Sequence, residues 1–328
     1  MKNKILALLA TIGLASSVSA VEINKNLSIN GFIDGSWKDI SPDTAGSDFQ
    51  SVSLDEVELN FLLNVGNVSG EIHLDNQNIF GTEQVNIEQA HFTYTLDNGL
   101  SVTFGRYGSK LGLEREDPAG VYTSSRAYES GWAVNYGDVD SLVMEGVAFG
   151  YATDSLSLNL SLDQTSGNNL KLENEGLNYE LSLSYTGIDN LVANIGYRKN
   201  QEGVGDIESD HINVNATYTL GKALIAAEWQ EASNDNINLT SNGDVEAYQI
   251  LVDYDFTDKL GAAIRYSEQD KDADSTSGLE VSKVTVAPNY AITDSLGLIL
   301  EYSAVDVDTT GATSADYDYV GAELTFTF

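Results

Sequence analysis

The sequence predicts an all-β fold, a transmembrane antiparallel β-barrel of sixteen strands, with eighteen as the alternative count. Three observations predict it: side chains that alternate apolar and polar with a period of two, turn signals that recur about every 35 residues, and a final strand that ends the chain on Phe328. The composition agrees, with 17 tyrosines and 29 glycines against three prolines and no cysteine. That is a chain of ordered strands and tight turns, because disorder goes with few aromatic and β-branched residues. A formal charge of −34 excludes a nucleic-acid partner, since binding phosphates needs a basic surface that displaces their counterions.

Residues 1–20 read as a secretory signal peptide. Lys2 and Lys4 form its positive start, Ile5 to Leu14 its apolar run, and Val18-Ser19-Ala20 its small-residue cleavage site. The run falls well short of the roughly 20 apolar residues that cross hydrocarbon as a helix. Cleavage after Ala20 would remove both lysines and carry the formal charge from −34 to −36. With no cysteine there is no acyl anchor and no disulfide, so residues 21–328 must enter a membrane through their strands.

Those strands follow. Leu27, Ile29, Ile33 and Trp37 oppose Ser28, Asn30, Asp34 and Ser36; Leu156, Leu158, Leu160 and Leu162 oppose Ser157, Asn159 and Ser161; Ile212, Val214, Ala216 and Tyr218 oppose His211, Asn213, Asn215 and Thr217. Each such segment has one greasy and one polar face and about the ten residues that span a bilayer when tilted. Leu156, Leu158, Leu160, Leu181, Leu183, Val214, Ile250, Val252 and Leu324 are expected to face lipid. A soluble β-sandwich would alternate in the same way, but would not require its turns to be asymmetric.

The turns are asymmetric. Asp97-Asn98-Gly99, Thr153-Asp154, Asp189-Asn190, Gly221-Lys222, Thr257-Asp258-Lys259 and Thr293-Asp294 each precede a strand opening near Leu100, Leu156, Leu191, Leu224, Leu260 or Leu296, and the intervals after Leu156 are 35, 33, 36 and 36 residues. One interval holds a strand, a longer polar loop, a returning strand and a tight turn, the pattern of barrels with short periplasmic turns and long extracellular loops. Strands opening at 27, 68, 100, 156, 191, 224, 260 and 296 give sixteen in all. The 56 residues between Leu100 and Leu156 carry either one long loop or an extra hairpin, with strand-like 131–136 supporting eighteen. Aromatics at Phe92, Tyr94, Tyr197, Tyr254, Phe256, Tyr266 and Tyr302 fit interfacial girdles.

In the last strand, Leu324, Phe326 and Phe328 share the apolar face. This terminus resembles the C-terminal assembly signal of outer-membrane proteins, which implies the barrel-assembly machinery and outer-membrane lipid as partners. Gly105-Arg106-Tyr107, Gly112-Leu113-Glu114 and Ser124-Ser125-Arg126 resemble corresponding elements of the OmpL-like β-barrel porins of Gram-negative bacteria. The resemblance implies a pore without naming a substrate; the expected function is a water-filled channel for passive diffusion of small polar solutes and ions, with a homotrimer as a candidate assembly, and the alternative is a ligand-specific channel or a receptor-like barrel.

A long third loop at about 108–130 is the expected constriction, with Arg106, Lys110, Glu114, Arg115, Glu116, Asp117 and Arg126 as its charges. Arg106 falls on the apolar face if alternation from Leu100 is unbroken, so Gly105 is expected to mark a bulge or the strand's end. Inward-facing charge elsewhere is mostly acidic, at Asp34, Glu56, Glu58, Glu71, Asp75, Glu180 and Glu301, which favours cations. Lys271 is expected in a distal loop, away from the pore. Asp270, Asp272 and Asp274 have calcium-loop spacing without its glycine or closing glutamate, and His73, His91 and His211 match no metal or nucleophile motif. No metal, cofactor or catalytic residue is expected.

Overall fold

A computed structural model describes residues 20–42, 48–79, 82–83, 85–114, 118–128, 143–165, 177–201, 209–234, 243–273, 278–311 and 315–328. The strands are β1 (Val21–Asn24), β2 (Leu27–Pro42), β3 (Phe49–Val65), β4 (Val68–Ile79), the two-residue β5 (Thr82–Glu83), β6 (Asn86–Thr95), β7 (Leu100–Gly108), β8 (Val143–Ala152) and β9 (Leu156–Thr165). They continue as β10 (Asn178–Tyr185), β11 (Leu191–Asn200), β12 (Ser209–Leu220), β13 (Ala223–Asn234), β14 (Gly243–Asp255), β15 (Leu260–Ala273), β16 (Leu279–Thr293), β17 (Leu296–Thr309) and β18 (Tyr317–Thr327). Every ladder is antiparallel, and β18 pairs back onto β2, closing a barrel of sixteen strands with β1 and β5 outside the count. Closure satisfies the backbone amides that an open edge would leave bare in lipid, at several kcal/mol each.

The short turns form where the sequence places them, and their chemistry explains why. The Thr153 hydroxyl accepts the Leu156 amide at 3.0 Å, the Thr257 hydroxyl accepts that of Leu260 at 3.0 Å, and the Thr293 hydroxyl accepts that of Ser295 at 3.2 Å. Each threonine side chain thus replaces a backbone acceptor in its turn. The two-residue turns at Gly66-Asn67 and Gly221-Lys222 open on glycines with φ of +64° and +62°, a conformation closed to most side chains but suited to hairpin twist. The strand opened by Leu224 in the sequence reading starts one residue earlier, at Ala223.

The count is sixteen because β7 pairs directly with β8, from Leu100↔Tyr151 to Gly108↔Val143. Among the described residues no further strand lies between them. Residues 131–136 lie outside the described residues.

Burial inverts the usual order. Leu181 is 45% exposed while its neighbour Glu180 is fully buried, since the outer face meets hydrocarbon and the inner face meets other polar groups. All nine residues expected to face lipid are exposed. Phe92, Tyr94, Tyr254, Phe256 and Tyr302 are exposed as well, whereas Tyr197 and Tyr266 are half-buried.

At the seam, Phe328 and Gly31 exchange both backbone hydrogen bonds at 3.1 Å. A Cβ on Gly31 would sit 2.2 Å from the Glu58 carbonyl oxygen and 3.0 Å from the Phe328 ring, so this position needs glycine for the terminal aromatic to lie flat against β2. Beyond Phe328, β1 takes over the exposed edge of β2, pairing Val21 with Ile29.

Candidate channel constriction

The third loop folds into the lumen. Its base is held by a buried charge network on β9, β10 and β11. Arg198 forms a two-pronged ion pair with Asp163 at 2.7 and 3.1 Å and lies 3.9 Å from Glu180. Glu180 accepts hydrogen bonds from the Ser109 hydroxyl at 2.6 Å and the Lys110 amide at 2.8 Å. Leu111 lies over Gly196, where a Cβ would come within 2.7 Å of it.

Past Gly112, whose φ is +99°, the loop reaches β13. Glu228 accepts from the Leu113 amide at 2.6 Å and from the Tyr128 hydroxyl at 3.2 Å. Burial and the carboxylates of Glu228 and Glu114 push the Tyr128 phenol well above its ordinary range, so it stays a donor at neutral pH. Leu113 packs on Ala226 and Leu251, and Tyr122 packs on both that group and Ala263, Ala287 and Ile299. Small side chains on the inner face of β13–β16 make room for the loop.

The far attachment is on β15–β18. The fully buried Arg265 guanidinium donates to Glu114 Oε1, to Thr123 Oγ1 at 2.7 Å, and to the carbonyls of Ser125 at 2.9 Å and Arg126 at 3.0 Å. Lys283 donates to the Arg126 carbonyl at 3.1 Å. Glu301 accepts from the Ser124 hydroxyl and the Ser125 amide, each at 3.0 Å, and from the Ser125 hydroxyl. Ser267 donates to the Ala127 carbonyl at 2.6 Å. A planar guanidinium with several donors suits this task, because it can grip a carboxylate and carbonyls at once.

The sequence-predicted residues divide accordingly. Glu114 and Arg126 come together in the loop, where the Arg126 guanidinium donates to the Glu114 carbonyl at 3.3 Å, Lys110 lies at its base on Glu180, and Asp34, Glu56, Glu58, Glu71 and Asp75 lie on the inward parity of β2, β3 and β4. Arg115, Glu116 and Asp117 lie outside the described residues. Arg106 departs from expectation. Gly105 does adopt an unusual φ of +132°, yet pairing runs unbroken to Gly108. Arg106 therefore keeps the outward parity of the exposed Phe104 and faces Glu145 across the ladder at 4.0 Å. Lys271 also differs: it sits within β15 and is buried, because its strand is longer than the apolar alternation suggested.

Sequence reasoning missed Arg198, Arg265, Lys283 and Glu228. A signal was present in Ala226, Ala247, Ala263 and Ala287, small apolar residues on a face that elsewhere is polar.

Residues 50–328 match the family described as "Putative beta-barrel porin-2, OmpL-like". The chain belongs to this family. The barrel is similar to the outer membrane channel DcaP of Acinetobacter baumannii, with a TM-score of 0.71 at 15% identity, covering 95% of this chain and 100% of that one. It is also similar to the in-vitro folded, trimer form of OmpT, an outer membrane protein of Vibrio cholerae (0.66, 15%, 92% and 99%), and to an anion-selective porin from Comamonas acidovorans (0.68, 12%, 92% and 99%). No curated protein matches by sequence. Family and fold place the OmpL-like chain in the bacterial outer membrane as a channel. The triplets that carried the resemblance now have physical roles: Gly112-Leu113-Glu114 and Ser124-Ser125-Arg126 pin the loop, and Tyr107 bonds Ser161 across the wall at 2.8 Å.

Proposed function

We propose that this OmpL-like barrel is a passive, cation-preferring diffusion channel for small polar solutes and ions, narrowed by its third loop. The observation that carries this reading is the loop bound along the inner wall of β13–β18 while Asp34, Glu56, Glu58, Glu71 and Asp75 line β2–β4. Fields between charges in water fade over about 8 Å at physiological ionic strength, so selectivity is set where a constriction brings ions within that range of fixed charge. Carboxylates there attract cations, and Arg126, Arg265 and Lys283 temper the preference without reversing it. The chain acts as a conduit and not as an enzyme, a reading supported by its family and by channels of the same fold.

Three features of its life cycle belong to the same proposal. Residues 1–20 direct export and are removed in a Gram-negative cell. Leu324, Phe326 and Phe328 are the strand presented to the barrel-assembly machinery. The chain assembles as a homotrimer, supported by the trimer form of the Vibrio protein and by an apolar groove on the outer wall formed by Leu63, Val68, Ile72, Phe92 and Phe104. The decisive experiment is planar-bilayer recording with a salt gradient. Steady current steps with a reversal potential of cationic sign are expected. Silence would point to a receptor-like barrel, and an anionic sign would overturn the electrostatic reading.

A further inference from the structure

Across the barrel from the loop's anchor on β13, a second group of polar side chains gathers on the inner wall. Glu58 on β3, His73 on β4 and Glu88 on β6 bring one ligand atom each to within 4.8 Å of the others. His73 Nδ1 is 3.1 Å from Glu58 Oε1 and 3.8 Å from Glu88 Oε2, while Nε2 is held by Glu71 Oε2 at 3.2 Å.

Two features make this more than a run of acidic residues. The register of β6 against β4 slips by one between His73↔Gln89 and Leu74↔Ile87, leaving Glu88 with no residue opposite. This β-bulge re-aims a side chain, as bulges do, and brings a second carboxylate to the imidazole. Glu58 is completely buried, and neither its oxygens nor His73 Nδ1 makes an aligned hydrogen bond. Buried polar atoms without aligned partners are costly, and here β3 and β4 aim them at one point, where the re-aimed Glu88 carboxylate joins them.

We propose that Glu58, His73 and Glu88 form a binding site for a divalent transition-metal ion on the lumen wall, best matched by zinc. One imidazole nitrogen with two carboxylates is a zinc donor set, bonded at roughly 2.0–2.2 Å. Tetrahedral ligands at that radius stand about 3.4 Å apart, close to the 3.1 and 3.8 Å separations observed. Glu71 on the remote nitrogen supplies the outer carboxylate that fixes ring orientation in metal-bound histidines. Water completes the coordination from the lumen side. The alternative is a protonated His73 paired with its three carboxylates and binding no metal. Softer thiolate ligands are absent from the sequence, so the site would disfavour copper(I).

The test is zinc titration of the folded barrel in detergent, in competition with a chelating dye. One zinc per chain is expected. Glu58→Gln, His73→Asn and Glu88→Gln should each weaken binding by more than about 100-fold, and Glu71→Gln by about 10- to 100-fold, the range for outer-shell partners. His211→Asn, on a distant part of the wall, should leave it unchanged. Heat-modified gel mobility checks that each variant is folded. Independently of any variant, X-ray absorption of the zinc-loaded wild type should show one imidazole and oxygen ligands. Failure of the wild type to bind zinc more tightly than Glu58→Gln would leave only the ion pair, and binding that survives His73→Asn, or a spectrum with several imidazoles, would place the metal elsewhere. Each of these overturns the proposal.

Discussion

Arg265→Met tests whether the loop is held by charge. In the wild type the guanidinium is fully buried and faces Glu114, whose side chain is 10% exposed, along with Thr123 and two carbonyls. Methionine keeps much of the volume but removes the cation from the Glu114 carboxylate, which among the described residues keeps the Ala127 amide at 2.7 Å. Removing one partner of a buried pair costs about 3–5 kcal/mol, and at 1.4 kcal/mol per tenfold that shifts local detachment by about two to three and a half powers of ten. The anchors at Glu180, Glu228 and Glu301 remain, so the loop should loosen along 113–126 without leaving the lumen. Single-channel recordings of Arg265→Met should show added open-channel noise and a more cationic reversal potential. Glu114→Gln removes the charge that would be stranded, so the double variant should be quieter than Arg265→Met alone, and the cycle reads the coupling directly. Traces as quiet as the wild type, or a double variant no better than Arg265→Met, would refute the charge latch.

Arg126→Glu should raise the cation-to-anion permeability ratio, whereas Lys222→Glu, in an exposed short turn, should leave it nearly unchanged; reversal potentials decide this. Leu181→Arg places a cation on the lipid face and should cost about 2–4 kcal/mol if near the bilayer midplane, while Ser182→Arg on the inner face should be better tolerated, as denaturant titration of the folded barrel would show. Deleting Phe328 removes the pair of seam hydrogen bonds to Gly31 and should slow appearance of the heat-modifiable folded band. Mass spectrometry of protein from the outer membrane should find a chain beginning at Val21; a retained leader would contradict export by cleavage after Ala20.

Strand number, strand starts and the side of each long loop were legible because one cause writes them all. A barrel wall between lipid and lumen enforces a period of two, and hairpins joined alternately by tight and long links enforce the longer repeat. The constriction was only partly legible. Loop residues such as Glu114 and Arg126 stand out as charges in a short stretch, but their partners Arg265 and Lys283 are far along the chain. Which wall a loop touches is a consequence of closure, a long-range property with no local pattern. Arg106 shows the reverse error: a conspicuous charge and a plausible glycine hinge suggested an inward turn, yet the ladder hydrogen bonds of β7 carried its alternation through Gly105. The cross-strand Glu145 gives the outward guanidinium a partner, which explains how it is tolerated there.

The placement of charge around the ring also explains why the loop takes the wall it does. β4 and β13 lie half a turn apart. The β2–β4 side carries Asp34, Glu56, Glu58, Glu71 and Asp75 with Lys38 as its basic residue, and Lys38 is engaged with Asp55 at 3.3 Å. The β13–β18 side carries Arg265, Lys271 and Lys283 together with Glu228, Asp253, Glu301 and Glu323. A loop bearing Glu114 and several carbonyls would meet mostly carboxylates on the first side, but finds cationic donors and alanine-sized recesses on the second. Burying carbonyls and a carboxylate there is tolerable because each finds a donor. The same choice keeps the loop's main anchors on the opposite wall, so the arrangement that holds the loop also leaves the β2–β4 carboxylates as an excess of negative charge on the inner face. Anchoring and the proposed cation preference then rest on one charge distribution, and weakening Arg265 should disturb both together.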